Sequence, residues 1–144
     1  MVRKAEIIDL STLVALGLSL WPENTREELA ADFSETFKKK DAAFFLAFTQ
    51  DTAMGFAQCQ LRRDYVEGTE SSPAGYLEGI FVAEEYRRQG VARELLDACE
   101  AWAADLGCRE FASDCELDNA ESLRFHLNAG FREANRIICF TKKL

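Results

Sequence analysis

Apolar residues along this chain follow two rhythms that change over at a few well-marked places. The opening "VRKAEIID" reads as a first strand, and in "LSTLVALGLSLW" Leu13, Leu16 and Leu20 recur at helical spacing until Pro22 stops the run. Thr25, with Glu28 three residues on, is a capping box for a second helix. Its apolar face, Leu29, Phe33 and Phe37, runs up to Lys38, Lys39 and Lys40, which complement the helix dipole. "AAFFLAF" and "AMGFAQCQLR" are β-rich runs joined by "TQDT", which predicts an antiparallel hairpin. After the polar excursion "RDYVEGTESSPAG", a third run, "YLEGIFV", leads into "EEYRRQGVARELLDACEAW" at residues 84–102. There a helix with the stripe Val91, Leu95, Ala98, Cys99, Trp102 and Leu106 begins behind a cluster of cations and ends at Gly107, a left-handed cap. A strand "REFASDC", a helix "NAESLRFHLNAG" ending at Gly130 and a β-rich stretch "FREANRIICFTKKL" follow. Strand, crossover helix and strand make a right-handed βαβ unit beside an antiparallel meander, so the expected class is mixed α/β in a single domain, 1–144.

Composition narrows the picture. The apolar share of 48%, with eleven Phe, eight Gly and two Pro, is that of a globular protein long enough to bury ~70% of its unfolded surface. No apolar run is long enough to cross a bilayer and the N-terminus lacks the apolar core of a signal peptide, so no membrane association and a cytoplasmic location are expected. The five cysteines are odd in number and have no CxxC pair, which disfavours a disulfide framework and a zinc or other metal site and reads as buried thiols. A net charge of −8 repels nucleic acid and favours polycationic partners.

The cations at the helix start change the picture most. A helix N-terminus exposes unpaired N–H groups and the positive end of the macrodipole, so a strand feeding a tight turn with a glycine makes an anion site. Gly90 lets backbone approach a phosphate, Ala92 keeps the wall open, and Arg87, Arg88 and Arg93 add charge beside Gln89 and Val91. The pattern is neither GxGxxG nor GK[ST], which argues against dinucleotides and nucleoside triphosphates.

Arg87-x-x-Gly90-x-Ala92 resembles the [RQ]-x-x-G-x-[GA] signature of the GNAT superfamily of acyl-coenzyme A dependent N-acyltransferases, and "DNAESLRFHLNAGF" resembles its N-x₆-Y-x₃-GF helix. The resemblance implies a GNAT fold: a central, mostly antiparallel sheet splayed between two parallel strands and flanked by about four helices. It implies acetyl-CoA as co-substrate, with the backbone of Phe81 and Val82 on the pantetheine arm, Arg88 to Ala92 on the pyrophosphate and Asn119 on the cofactor. Where many members carry the tyrosine that protonates the leaving thiolate, this chain has His126, its one histidine, seven residues after Asn119.

"LSLWP", "DYVEGTESSPAGYLEGIFV", "EFASDCELDN" and the ending "FTKK" are similar to the aminoglycoside 6′-N-acetyltransferases. That similarity implies that Trp21 and Tyr65 flank aminoglycoside rings, with Glu67 and Glu70 extending a negative lip, and that the chain is a homodimer with the excursion at or near its interface. The residues agree with it. Glu78 interrupts an apolar strand, where an unpaired carboxylate is costly, so it has a buried partner or faces a polar cleft. Asp114, on the next parallel strand, comes near Glu78 if the strands splay, and two carboxylates suit an acceptor with several ammonium groups. Either carboxylate can hold the ammonium and take its proton, and the Val82 N–H can polarise the thioester carbonyl. A Cys115 nucleophile has no evident histidine partner. Two alternatives share the cofactor motifs: acetylation of another amine (a polyamine, a protein N-terminus or a lysine) and a non-catalytic acyl-CoA-binding module.

Overall fold

The computed structural model describes residues 1–144. Five strands, β1 (Val2–Lys4), β2 (Ala42–Thr49), β3 (Thr52–Arg62), β4 (Ala74–Val82) and β5 (Phe111–Ala112), form one sheet in that order. The first four pair antiparallel and β5 joins β4 in parallel. Four α-helices accompany them: α1 (Leu10–Leu20), α2 (Arg26–Phe37), α3 (Val91–Asp105) and α4 (Ala120–Asn128). The mixed α/β class and the splayed, mostly antiparallel sheet are as expected.

The run of β2 is apolar without a break because both its faces are covered. Phe44 and Leu46 meet Leu13, Val14, Leu29 and Phe33 of α1 and α2, whereas Ala43, Phe45 and Ala47 meet the α3 side. Thr25 and Glu28 close the expected capping box, with reciprocal bonds of 3.1 and 3.0 Å. The buried face of α3 is Val91, Leu95, Leu96, Cys99 and Ala103, rotated from the expected stripe, and Leu106 lies past the helix end.

Further sequence expectations require correction. The first strand stops at Lys4, because Asp9 takes both guanidinium nitrogens of Arg3 at 2.8 Å and the Glu6 N–H at 2.8 Å, which turns the chain into a 3₁₀ helix, Ile7–Asp9. The strand "REFASDC" keeps only Phe111 and Ala112 in the sheet, since the two parallel strands part after the pair Tyr76↔Ala112. The final β-rich stretch has no regular structure, and Ile137, Ile138 and Phe140 are exposed: no strand edge of this chain takes it up. Of the cysteines only Cys59 and Cys99 are buried, and Cys115 and Cys139 are exposed. No helix is long and apolar enough to cross a membrane.

Candidate active site

The cradle is built by backbone. Behind β4 a 3₁₀ turn, Glu84–Tyr86, gives way to extended Arg87, then to Arg88 at φ 60° and Gly90 at φ 83°. Two left-handed residues in three, directly before a helix, make the kind of tight turn from which anion-binding nests of backbone N–H groups are built. Gly90 is the N-cap of α3 and supplies no side chain to it, so the first N–H groups of the helix lack a capping partner. An added Cβ at Gly90 would meet nothing within 4 Å. The left-handed backbone is therefore what requires glycine, and a helix start whose N–H groups have no side-chain cap suits a phosphate.

The cations divide their work. Arg87 donates from Nε to the Val82 carbonyl at 2.8 Å and stacks over Phe81, tying the cradle to the end of β4. Arg93 is paired with Asp97 at 2.9 Å. Gln89 folds back onto the Glu85 carbonyl at 3.1 Å, whereas Arg88 is exposed and makes no ion pair. Val91 is buried as the anchor of α3, and Ala92 follows it without bulk. Asn119 caps α4 by accepting the Ser122 N–H at 3.1 Å, which leaves its amide nitrogen to donate outward. Phe81 and Val82 pair with Phe56 and Gly55 on the β3 side. Their other edge lies beyond the short β5, open in the splay.

Gly90→Val places a β-branched residue at positive φ, which strains the turn that presents the first N–H groups of α3. It should cost about 1–3 kcal/mol of stability and leave a folded protein with weakened acetyl-coenzyme A binding. Calorimetry on the purified variant reads this, and parental affinity would misplace the cradle.

At the other end of the splay stands Glu78. Leu77 pairs with Cys59 and Gly79 with Gln58, so Glu78 is the extra residue of a β-bulge. The bulge exchanges the faces of β4: Leu77 packs with the α3-side core before it, Ile80 and Val82 do so after it, and Gly79 and Phe81 turn to α1 and α2. Glu78 has a partner, Arg62 at the end of β3, whose Nη2 reaches its two carboxylate oxygens at 2.5 and 2.9 Å. Burial works against the Arg62 charge, but the bonds to Glu78 outweigh it and leave its pKa raised. The same guanidinium lies 3.4 Å over the Tyr76 ring, and the Tyr76 hydroxyl donates to Asp114. Burial, and then that bond to Asp114, push the Tyr76 pKa up, so it stays a donor. Glu78 and Asp114 are thus brought together through Arg62 and Tyr76, two residues that sequence reasoning missed.

Trp21 is half-buried, edge-on to Phe33 and Phe56 at 6.2 and 6.0 Å. An added Cβ at Gly79 would lie 2.6 Å from its ring, so the glycine next to Glu78 seats the indole on the strand. Tyr65 is 75% exposed. It lines an open depression of about 450 Å³ with Arg62, Arg63, Asp64 and Asp41. Glu67 and Glu70 are exposed on the same excursion.

His126 sits on α4 against Phe131. Its Nδ1 is 2.7 Å from the Ser122 carbonyl and its Nε2 2.7 Å from Ser113 Oγ. A carbonyl only accepts, so in the neutral ring Nδ1 carries the proton and Nε2 accepts from the Ser113 hydroxyl.

Comparison with known proteins agrees with this architecture. A relative from Stenotrophomonas maltophilia, an aminoglycoside N(6′)-acetyltransferase type 1, is 38% identical over 99% of this chain and 93% of its own. One from Salmonella typhimurium, also an aminoglycoside N(6′)-acetyltransferase type 1, is 40% identical over 99% and 98%. The solved structure of AAC(6′)-Iy with the bisubstrate analog CoA-S-monomethyl-acetylneamine superposes with a TM-score of 0.96 at 37% identity, covering 100% of this chain and 98% of that one. Residues 10–131 match the Acetyltransferase (GNAT) family, and with the cradle of α3 and the splay of β4 from β5 they place the chain in that family.

Proposed function

We propose that this chain is an aminoglycoside 6′-N-acetyltransferase, moving an acetyl group from acetyl-CoA to the 6′-amine by direct attack in a ternary complex. The observation that carries the reading is the carboxylate pair Glu78 and Asp114 at the open splay, on the sheet whose other landmark is the phosphate cradle. A polycationic amine is what such a pair binds well, and the relatives of similar length act on such amines.

In this reading Arg88 to Ala92 and Asn119 hold the co-substrate, and the N–H of Val82 faces the carbonyl oxygen as it gains charge. Trp21 and Tyr65 flank the acceptor rings. Glu78 and Asp114 draw the ammonium in, and one of them takes its first proton, directly or through water, since only the free amine attacks. His126 handles the proton of the departing thiolate. Incubation with acetyl-CoA and kanamycin, followed by mass spectrometry, tests this: one acetyl increment on the 6′ nitrogen is expected. A product with spermidine or a lysine peptide and none with kanamycin would move the activity to another amine.

The working unit we propose is a cytoplasmic homodimer of a single domain, 1–144. Ile137, Ile138 and Phe140 are 71, 79 and 90% exposed on a stretch whose sequence favours strand, and such residues call for a partner. Ala134 lies against Gly68, so this stretch starts beside the excursion at residues 63–75. Sedimentation equilibrium should find a dimer, and Ile138→Glu with Phe140→Glu should shift it to monomer. A monomer at all concentrations in the parent would overturn the assembly.

A further inference from the structure

We infer that Ser113 is a catalytic residue of the acetyl transfer and that His126 acts through it, the two forming a proton relay between the attacking amine and the departing sulfur. The inference rests on the acetyl-transfer reading and extends it to a residue that reading leaves without a role.

Ser113 is the first residue beyond the last parallel pair, Tyr76↔Ala112, so it stands where β4 and β5 separate. Asp114, the next residue, is bonded to the Tyr76 hydroxyl, while Ser113 is bonded to His126 of α4. Successive side chains of an extended segment point to opposite faces, and Ser113 therefore borders the splay from the α4 side. Both nitrogens of His126 are occupied, Nδ1 by the Ser122 carbonyl and Nε2 by Ser113 Oγ, each at 2.7 Å. The ring consequently reaches a reacting atom only through the serine. With its proton on Nε2, the Ser113 oxygen keeps lone pairs to accept another proton from the cleft.

The relay balances the second half of the reaction. After the carboxylates have taken one proton from the ammonium, the free amine attacks the thioester carbon and the N–C bond forms, leaving a positive nitrogen and a negative oxygen. That nitrogen gives its proton to Ser113 Oγ as the serine's own proton moves to His126 Nε2. The movement then reverses: Nε2 returns its proton to Oγ, and Oγ passes one to sulfur as the C–S bond breaks and the carbonyl re-forms. The products are the amide and the free thiol, and Ser113 and His126 are restored.

Two measurements test it. In steady-state assays with acetyl-CoA and kanamycin, Ser113→Ala should lower kcat by about 10²-fold, the low end of what a positioned proton-transfer group contributes, with both KM values within about twofold of the parent. Ser113→Thr, which keeps the hydroxyl, should retain most of kcat. Ser113→Ala combined with His126→Asn should cost no more than the worse single variant, as residues acting in one chain do. A parental kcat in Ser113→Ala, or costs that add, would overturn the relay. The second measurement needs no acceptor. His126 is the one histidine, so ¹⁵N spectra of the neutral ring are unambiguous. A protonated Nδ1, and an Nε2 signal that moves in Ser113→Ala, are expected, whereas an Nε2–H tautomer in the parent would overturn the inference. The parent's own turnover reports separately on the acetyl-transfer reading.

Discussion

Asp114→Asn should lower kcat for kanamycin by roughly 10²-fold with little change in the acetyl-CoA KM, and Glu78→Gln should chiefly raise the kanamycin KM, by about tenfold or more. The difference follows from what each carboxylate holds. Glu78 is already matched by the Arg62 guanidinium, so the acceptor's ammonium meets a paired charge there. Asp114 is exposed, forms no salt bridge and accepts from the neutral Tyr76 hydroxyl, which leaves it open to the acceptor for the proton-accepting step. Removing Glu78 has a second consequence: Arg62 is left without its counter-ion and repels the polycation. The double variant Glu78→Gln, Arg62→Gln should therefore bind kanamycin better than Glu78→Gln alone. Added salt should weaken binding in the parent more than in Asp114→Asn, since screening acts only on a charge that is present. If both single variants keep the parental kcat/KM from about pH 6 to about pH 9, the carboxylates are structural and the acceptor site lies elsewhere.

What the sequence made legible is what depends on near neighbours. The capping box of Thr25 and Glu28, the hairpin through Gln50 and Asp51, and the glycines that end α3 and α4 all rest on contacts within a few residues. The cradle belongs to this class, because a helix N-terminus and its glycine are adjacent in the chain.

What was not legible depends on register. Nothing local marks Glu78 as a bulge: the extra residue exists only relative to Gln58 and Cys59, some twenty residues upstream on β3. The register sets Arg62 opposite Ala74, and its long side chain lies along the Tyr76 ring to reach Glu78, so the half-buried partner of Glu78 comes from the far side of the excursion. Ser113 is a single serine just past a short strand, a residue type with no periodic signal, and it gains meaning only when α4 brings His126 to it. The final stretch has strand-like composition, but composition supplies no partner edge.

Phe33→Ala should destabilise the fold by about 3–5 kcal/mol, a large share of the total stability of a domain this size, and lower Tm by roughly 10 °C. Phe33 is 1% exposed and sits where the aromatic core of one face converges, 4.7 Å from the Phe44 ring and 6.2 Å from Trp21. Gly17 of α1 and Leu29 crowd around it, so the cavity has little freedom to collapse. Its consequence for function runs through Trp21, which Phe33 and Phe56 hold against Gly79 beside Glu78. A loosened indole should raise the kanamycin KM more than the acetyl-CoA KM, the reverse of what Gly90→Val does. Leu95→Ala is the control, since Leu95 is fully buried in the core on the α3 face and its loss should cost about 2–5 kcal/mol. If Leu95→Ala raises the kanamycin KM as much as Phe33→Ala at matched stability, the effect is one of general loosening, and Trp21 is not the link between this core and the acceptor.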